Sequence, residues 1–223
     1  VPSYNIPAGS LISKNIINLL VADKVISVSN AANGTTRLQP VVMVTGQAAG
    51  EMAAQCALQN KMPAQLSVRG IQNQLLASKA HIMPFIDVLP SHPHWAAVQR
   101  VGAAGWLRGV GQPNAWANRT WFYPNDTLKI TELYALLPGG SKWLPSAGPM
   151  QNGISVKQFV NEVVLLAGAK AAAADLSGAP VRVDSEQPIT RIQAAFFLDA
   201  LLRPFEAQVD WNGNPLSSAQ VKK

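Results

Sequence analysis

The segment RLQPVVMVTGQAAGEMAA, residues 37–54, has the spacing in this chain best suited to chemistry. Gly46 and Gly50 stand four residues apart, so on a helix they share one face, with Ala49 and Ala53 beside them. A helix carries each glycine at a cost of about 1 kcal/mol relative to alanine. Close approach of another body would justify that cost, and either a second helix or a flat ligand would do. Pro40 suits the first turn of such a helix. The backbone N–H groups near Val41 and Val42 would then form a partial positive pole able to stabilise negative charge on a bound group.

Other candidate groups are sparser. His92 and His94 flank Pro93, and His81 is the third histidine. A metal site would need further ligands, and no acid cluster accompanies these residues. No G-x-S-x-G elbow occurs. The acidic pairs Asp126/Glu132 and Asp184/Glu186 read as solvated surface or capping residues. Cys56 is the single cysteine and reads as a buried, inert thiol.

The elements that would hold these residues can be read from pattern and punctuation. NLLVADKVISV, residues 18–28, is apolar and β-branched, which predicts a buried strand, a turn and a second extended piece. Residues 30–39 are small and polar and predict a loop. A long helix follows from Pro40 to about Asn60, and Ser67 is the N-cap of another reaching Ala77. All six Trp and all six Phe lie at or after Phe85, so two units with different cores are expected, 1–82 and 83–223. In the second, Trp95 to Gly105 predicts a helix closed by a left-handed glycine, and Phe159 to Gly168 repeats that pattern. Lys129, Ile130, Tyr134 and Leu136 correspond to Arg191, Ile192, Phe196 and Leu198 at a constant offset of 62. Pro138 to Pro149 reads as a loop. The fold class is α+β, mostly α, with a helical module of two helix–loop–helix repeats in the second unit.

Composition narrows the function. Hydrophobic content of 48% against 13% charged residues permits a sizeable core. The net charge of +6 is scattered, so no nucleic-acid stripe is visible. No apolar run reaches the length of a transmembrane segment, and no signal peptide is visible. The single cysteine fits a reducing compartment or the periplasm, and a periplasmic or cell-surface setting is favoured.

The run YNIPAGSLI from Tyr4, then NLLVADKVIS from Asn18, then Arg37 to Gly50 resembles the C-terminal stretch of the bacterial FAD-dependent oxidoreductases, which reads "IPYRSLIP…NLLVAGRCIS…R…P…GQAAGTAAA". That resemblance implies that residues 1–82 are the C-terminal remnant of an α/β nucleotide-binding domain, with FAD as cofactor and a small organic substrate. It sets Ala22, Asp23 and Lys24 by the ribityl–phosphate part, with Ala22 departing from the family glycine. Arg37, Pro40, Val41 and Val42 fall near the isoalloxazine, and Gly46, Gln47 and Ala49 along the supporting helix. No G-x-G-x-x-G occurs in the chain. The ADP-gripping half is therefore expected from an N-terminal half of the same protein or a separate subunit. Residues 87–137 and 187–198 resemble S-layer-homology repeats. By that resemblance Thr190 and Arg191 would line a groove for cell-wall glycan, the alternative being a structural cover.

Overall fold

The structure is a computed structural model that describes residues 3–115, 117–129, 132 and 153–216. It is mostly helical, and the chain divides into two compact units, one built around residues 5–80 and the other around residues 81–205. The stretch from Glu206 groups with the first of these.

In the unit of residues 5–80, a 3-10 turn at Ala8–Leu11 leads to an isolated antiparallel bridge between Ile12 and Leu20. Val21 donates to the Leu11 carbonyl at 2.8 Å, and a second 3-10 turn covers Asp23–Val25. The strand expected over 18–28 is thus not formed. Its apolar, β-branched residues favour a sheet, but only residues 10–13 pair with them, and a single bridge is no ladder. Three helices follow: α1 (Asn30–Thr36), α2 (Gln39–Gln59) and α3 (Val68–Ala77). α1 replaces the expected loop. Ser29 caps it by accepting from the Ala32 amide at 3.2 Å, which offsets the weak helix preference of Asn30, Asn33 and Gly34. Asn60 closes α2 in the left-handed conformation, and Ser67 caps α3 through the Gly70 amide. The core is small and aliphatic, formed by Leu11, Ile26, Ala49, Met52, Leu66 and Ile71, with Trp211 packed against it. Trp211 is tied there by its indole N–H to the Ala64 carbonyl and by its own carbonyl to the Gly9 amide.

The unit of residues 81–205 contains α4 (Trp95–Ala103), a hairpin of β1 (Val110–Asn114) and β2 (Ala117–Trp121), α5 (Val156–Ala167) and α6 (Arg191–Leu202). α4 ends as its glycine foretold. Gly105 has φ +74°, its amide donates to Gly102, and that of Trp106 donates to Val101. α5 and α6 begin with reciprocal capping boxes, Ser155 with Gln158 and Thr190 with Gln193. The segments entering these helices are laced together, with Ile189 donating to Ile154 and Leu128 donating to Ile189. Trp95, Phe85, Phe122, Phe159 and Phe197 are fully buried and form an aromatic core. Gly102 exists for that core, since a Cβ there would stand 2.6 Å from the Phe85 ring. The loop expected over 138–149, with Ile130, Tyr134 and Leu136 of the proposed repeat, lies outside the described residues.

Candidate functional site

The junction between α1 and α2 gathers several of the residues singled out above. Arg37 is the C-cap of α1, and its amide donates to the Asn33 carbonyl at 3.3 Å. Leu38 follows as the N-cap of α2 and has no side-chain oxygen to cap with. Pro40 removes one orphan donor of the first turn, while the amides of Gln39 and Val41 have no intrahelical acceptor. The exposed Arg37 side chain and the positive pole of a 21-residue helix therefore meet at one place. Val41 and Val42 are half-buried beside it, and the Thr45 hydroxyl turns back to both of their carbonyls at 3.1 Å.

Two buried polar atoms at this junction have no partner among the described residues, Asn33 Oδ1 and Thr36 Oγ1. Buried polar atoms ordinarily find one.

The turn of Asp23–Val25 packs against α2. Ala22 is extended, with φ −139° and ψ −179°, and it is Asp23 that takes the left-handed conformation, at φ 63°. This corrects the sequence reading. Aligned on NLLVA, the family glycine stands opposite Asp23, not Ala22, and the backbone there has the conformation that glycine adopts without cost. Asp23 and Lys24 are exposed.

Along α2 the candidates separate. Ala49 is only 7% exposed and belongs to the core. Gln47 is exposed and Gly46 half-buried. A Cβ added at Gly46 or at Gly50 would meet nothing outside the helix's own backbone within 4 Å, so among the described residues none makes the close approach that the glycines permit. Large apolar side chains stand exposed on the same helix: Met43 at 74%, Val44 at 56% and Leu58 at 85%.

Thr190 and Arg191 are employed differently from what the S-layer resemblance implies. Thr190 caps α6. Arg191 is 5% exposed; its Nε donates to the Phe122 carbonyl at 2.7 Å, one terminal nitrogen to the Arg108 carbonyl at 2.6 Å and the other to Glu132. The guanidinium also lies over the Phe122 ring, 4.9 Å from its centre. Glu132, read from sequence as surface or capping, is exposed and is the carboxylate partner of the buried Arg191. A second pair, Arg100 with Asp199, joins α4 to α6 at 2.5 Å, and the Asp87 carboxylate accepts from the amides of Phe122 and Tyr123 at 2.7 Å each. Among the described residues no group of histidine, cysteine and acid side chains could hold a metal, and no helix is long and apolar enough to cross a membrane.

A family model for FAD dependent oxidoreductase matches residues 1–75, about a third of the chain. Residues 1–75 carry a segment of that family. The matched stretch contains every residue read as cofactor-binding, from Ala22 to Ala49, and the family implies FAD. No curated protein and no solved structure matches the chain. The S-layer-homology resemblance finds no support in these comparisons.

Proposed function

We propose that this chain supplies the flavin-ring side of an FAD-dependent oxidoreductase. The nucleotide-gripping half comes from another part of the same protein or from a separate subunit. The observation that carries this reading is the open side of α2. Within a segment similar to that family, the helix leaves its N-terminus uncapped by any side chain, its two glycines unapproached and its apolar residues uncovered. A folded unit seldom leaves large apolar side chains exposed together unless something else covers them.

In this reading Arg37 and the amides of Gln39 and Val41 face the electron-rich edge of the ring system. Asn33 and Thr36 supply the buried polar atoms beside it. Gly46 lets the ring approach the backbone, Gln47 offers an amide at its margin, and Ala49 holds the helix to its core. The turn of Ala22, Asp23 and Lys24 borders the ribityl–phosphate part. FAD when bound supplies acceptance of hydride from a small organic substrate. Met43 and Val44 exclude water once covered.

The test is purification of the complete protein, with any partner subunit, followed by its visible spectrum. Oxidised flavin absorption that bleaches on reduction is the expected result. A colourless protein that takes up no added FAD would end this reading.

A further inference from the structure

The segment of residues 206–216 has no part in the flavin reading, and it is built as a strap on the unit of residues 5–80. Its own fold is held from within. The Asp210 carboxylate accepts from the amides of Asn212 at 2.9 Å and Asn214 at 2.8 Å, and from the Asn214 side chain at 3.0 Å. Gly213 turns the chain at φ +89°, and its amide donates to the Asp210 carbonyl. Val209 bridges Pro215, and the Leu216 amide donates to the Gln208 carbonyl at 2.9 Å. Residues 208–216 are therefore a closed loop whose shape comes from its own hydrogen bonds.

The strap fastens to three separate elements of the unit. At the 3-10 turn of Ala8–Leu11, the Gly9 amide donates to the Trp211 carbonyl at 3.1 Å, and a Cβ on Gly9 would stand 3.2 Å from that oxygen. At a 3-10 turn over Pro63–Gln65, the Ala64 carbonyl accepts from the Trp211 indole at 3.3 Å. At the start of α3, the Ser67 hydroxyl donates to the Gln208 side chain at 2.6 Å, and Arg69 Nε donates to the Ala207 carbonyl at 3.4 Å. Trp211 itself packs on the aliphatic core, to which α2 contributes Met52 and α3 contributes Ile71.

We infer that residues 206–216 form a strap whose docking holds α2 and α3 together and whose release opens that unit alone. The loop closes its hydrogen bonds within itself, so undocking breaks only the anchors and the Trp211 contact, which makes it a local opening and not a global one. With the strap open, the core of Met52 and Ile71 loses the indole that packs on it, and no other aromatic side chain among the described residues of that core takes its place. Residues 81–205 bury an aromatic core of their own, which the strap does not complete. The device works with or without a bound flavin.

The experiment is hydrogen–deuterium exchange of the full chain, read peptide by peptide, for the parent, Trp211→Ala and Gly9→Val. Trp211→Ala removes the ring, and Gly9→Val pushes the strap away from the opposite side of the contact. Exchange across α2 and α3 should rise about tenfold in both variants, while α4, α5 and α6 stay within about twofold of the parent. Complete exchange of α2 and α3, with α4, α5 and α6 still protected, is the same result at its limit, so a variant that unfolds the unit still reports. Unchanged exchange of α2 and α3 in either variant overturns the proposal, because the segment then lies on the unit without holding it. An equal rise in all five helices overturns it too, since the strap would then not act on one unit alone.

Discussion

The two units differ in where they spend their charges and in what fills their cores. In residues 81–205 the important charges are spent inside the unit: Arg191 on Glu132 and two carbonyls, Arg100 on Asp199, Asp87 on two amides. Five aromatic side chains there, Phe85, Trp95, Phe122, Phe159 and Phe197, are fully buried. In residues 5–80 the core is six aliphatic or small residues, while Ile17, Val25, Met43, Val44 and Leu58 are all more than half exposed. Arg37 and Lys24 have no ion-pair partner among the described residues. The lesson is about where function can reside. A guanidinium with every side engaged is a structural part, whereas an uncapped helix end with open glycines leaves room for a ligand.

Breaking the internal economy of the first-described contrast should have the largest effect. Arg191→Ala leaves Glu132 and two carbonyls without their donor, and unfolding in urea should show a loss of about 3 kcal/mol. Arg191→Lys should recover little of it, because an ammonium cannot reproduce the three-way fork. Near-wild-type stability for Arg191→Ala would return Arg191 to the pool of ligand-binding candidates.

A smaller change should sharpen the other side. Asp23→Gly relieves a left-handed residue at φ 63° and should raise the urea midpoint, by about 0.5 kcal/mol in stability. A drop instead would mean that the exposed Asp23 carboxylate has a stabilising role not visible in the turn.

The smallest expected effect is one of pH. Burial holds His81 and His94 below the ordinary histidine value of 6.5; the Met83 backbone opposes the shift at His81, while His92 adds to it at His94. With the folded-state pKa depressed, the unfolded chain takes up these protons first. Stability present above pH 6.5 is therefore lost as pH falls from there toward the folded-state values. The melting temperature of His81→Gln/His94→Gln should fall less over that interval than that of the parent chain.

Much of the helical framework was legible because its ends are written in residue chemistry. Pro40, Ser67, Gly105 and the two capping boxes mark helix ends that local sequence alone can specify. What failed to show depended on partners distant in sequence. Residues 18–28 look like a strand because β-branched residues prefer sheets, yet the described chain offers them no ladder. The hairpin lacks an Asn-Gly turn and carries Gly111 and Pro113 within β1, so nothing local announced it. α1 hid behind Asn33 and Gly34, with Ser29 as its only signal. The site divided in the same way. Pro40 and the glycine spacing pointed to α2 correctly as an element, but the burial of Ala49 follows from the core, and the role of Arg191 from Phe122, Arg108 and Glu132, far away in sequence.

The central claim is that the open face of α2 is kept open for a flavin. It is tested most directly by Gly46→Ala/Gly50→Ala in the complete protein. Among the described residues no atom outside the helix's own backbone lies within 4 Å of either added methyl, and alanine favours the helix by up to about 1 kcal/mol per site, so the double variant should be at least as stable as the parent. Its retention of FAD, followed as flavin released on dilution, should fall by tenfold or so, as a loss of about 1.4 kcal/mol would produce. A stable double variant that holds FAD as tightly as the parent would contradict the account.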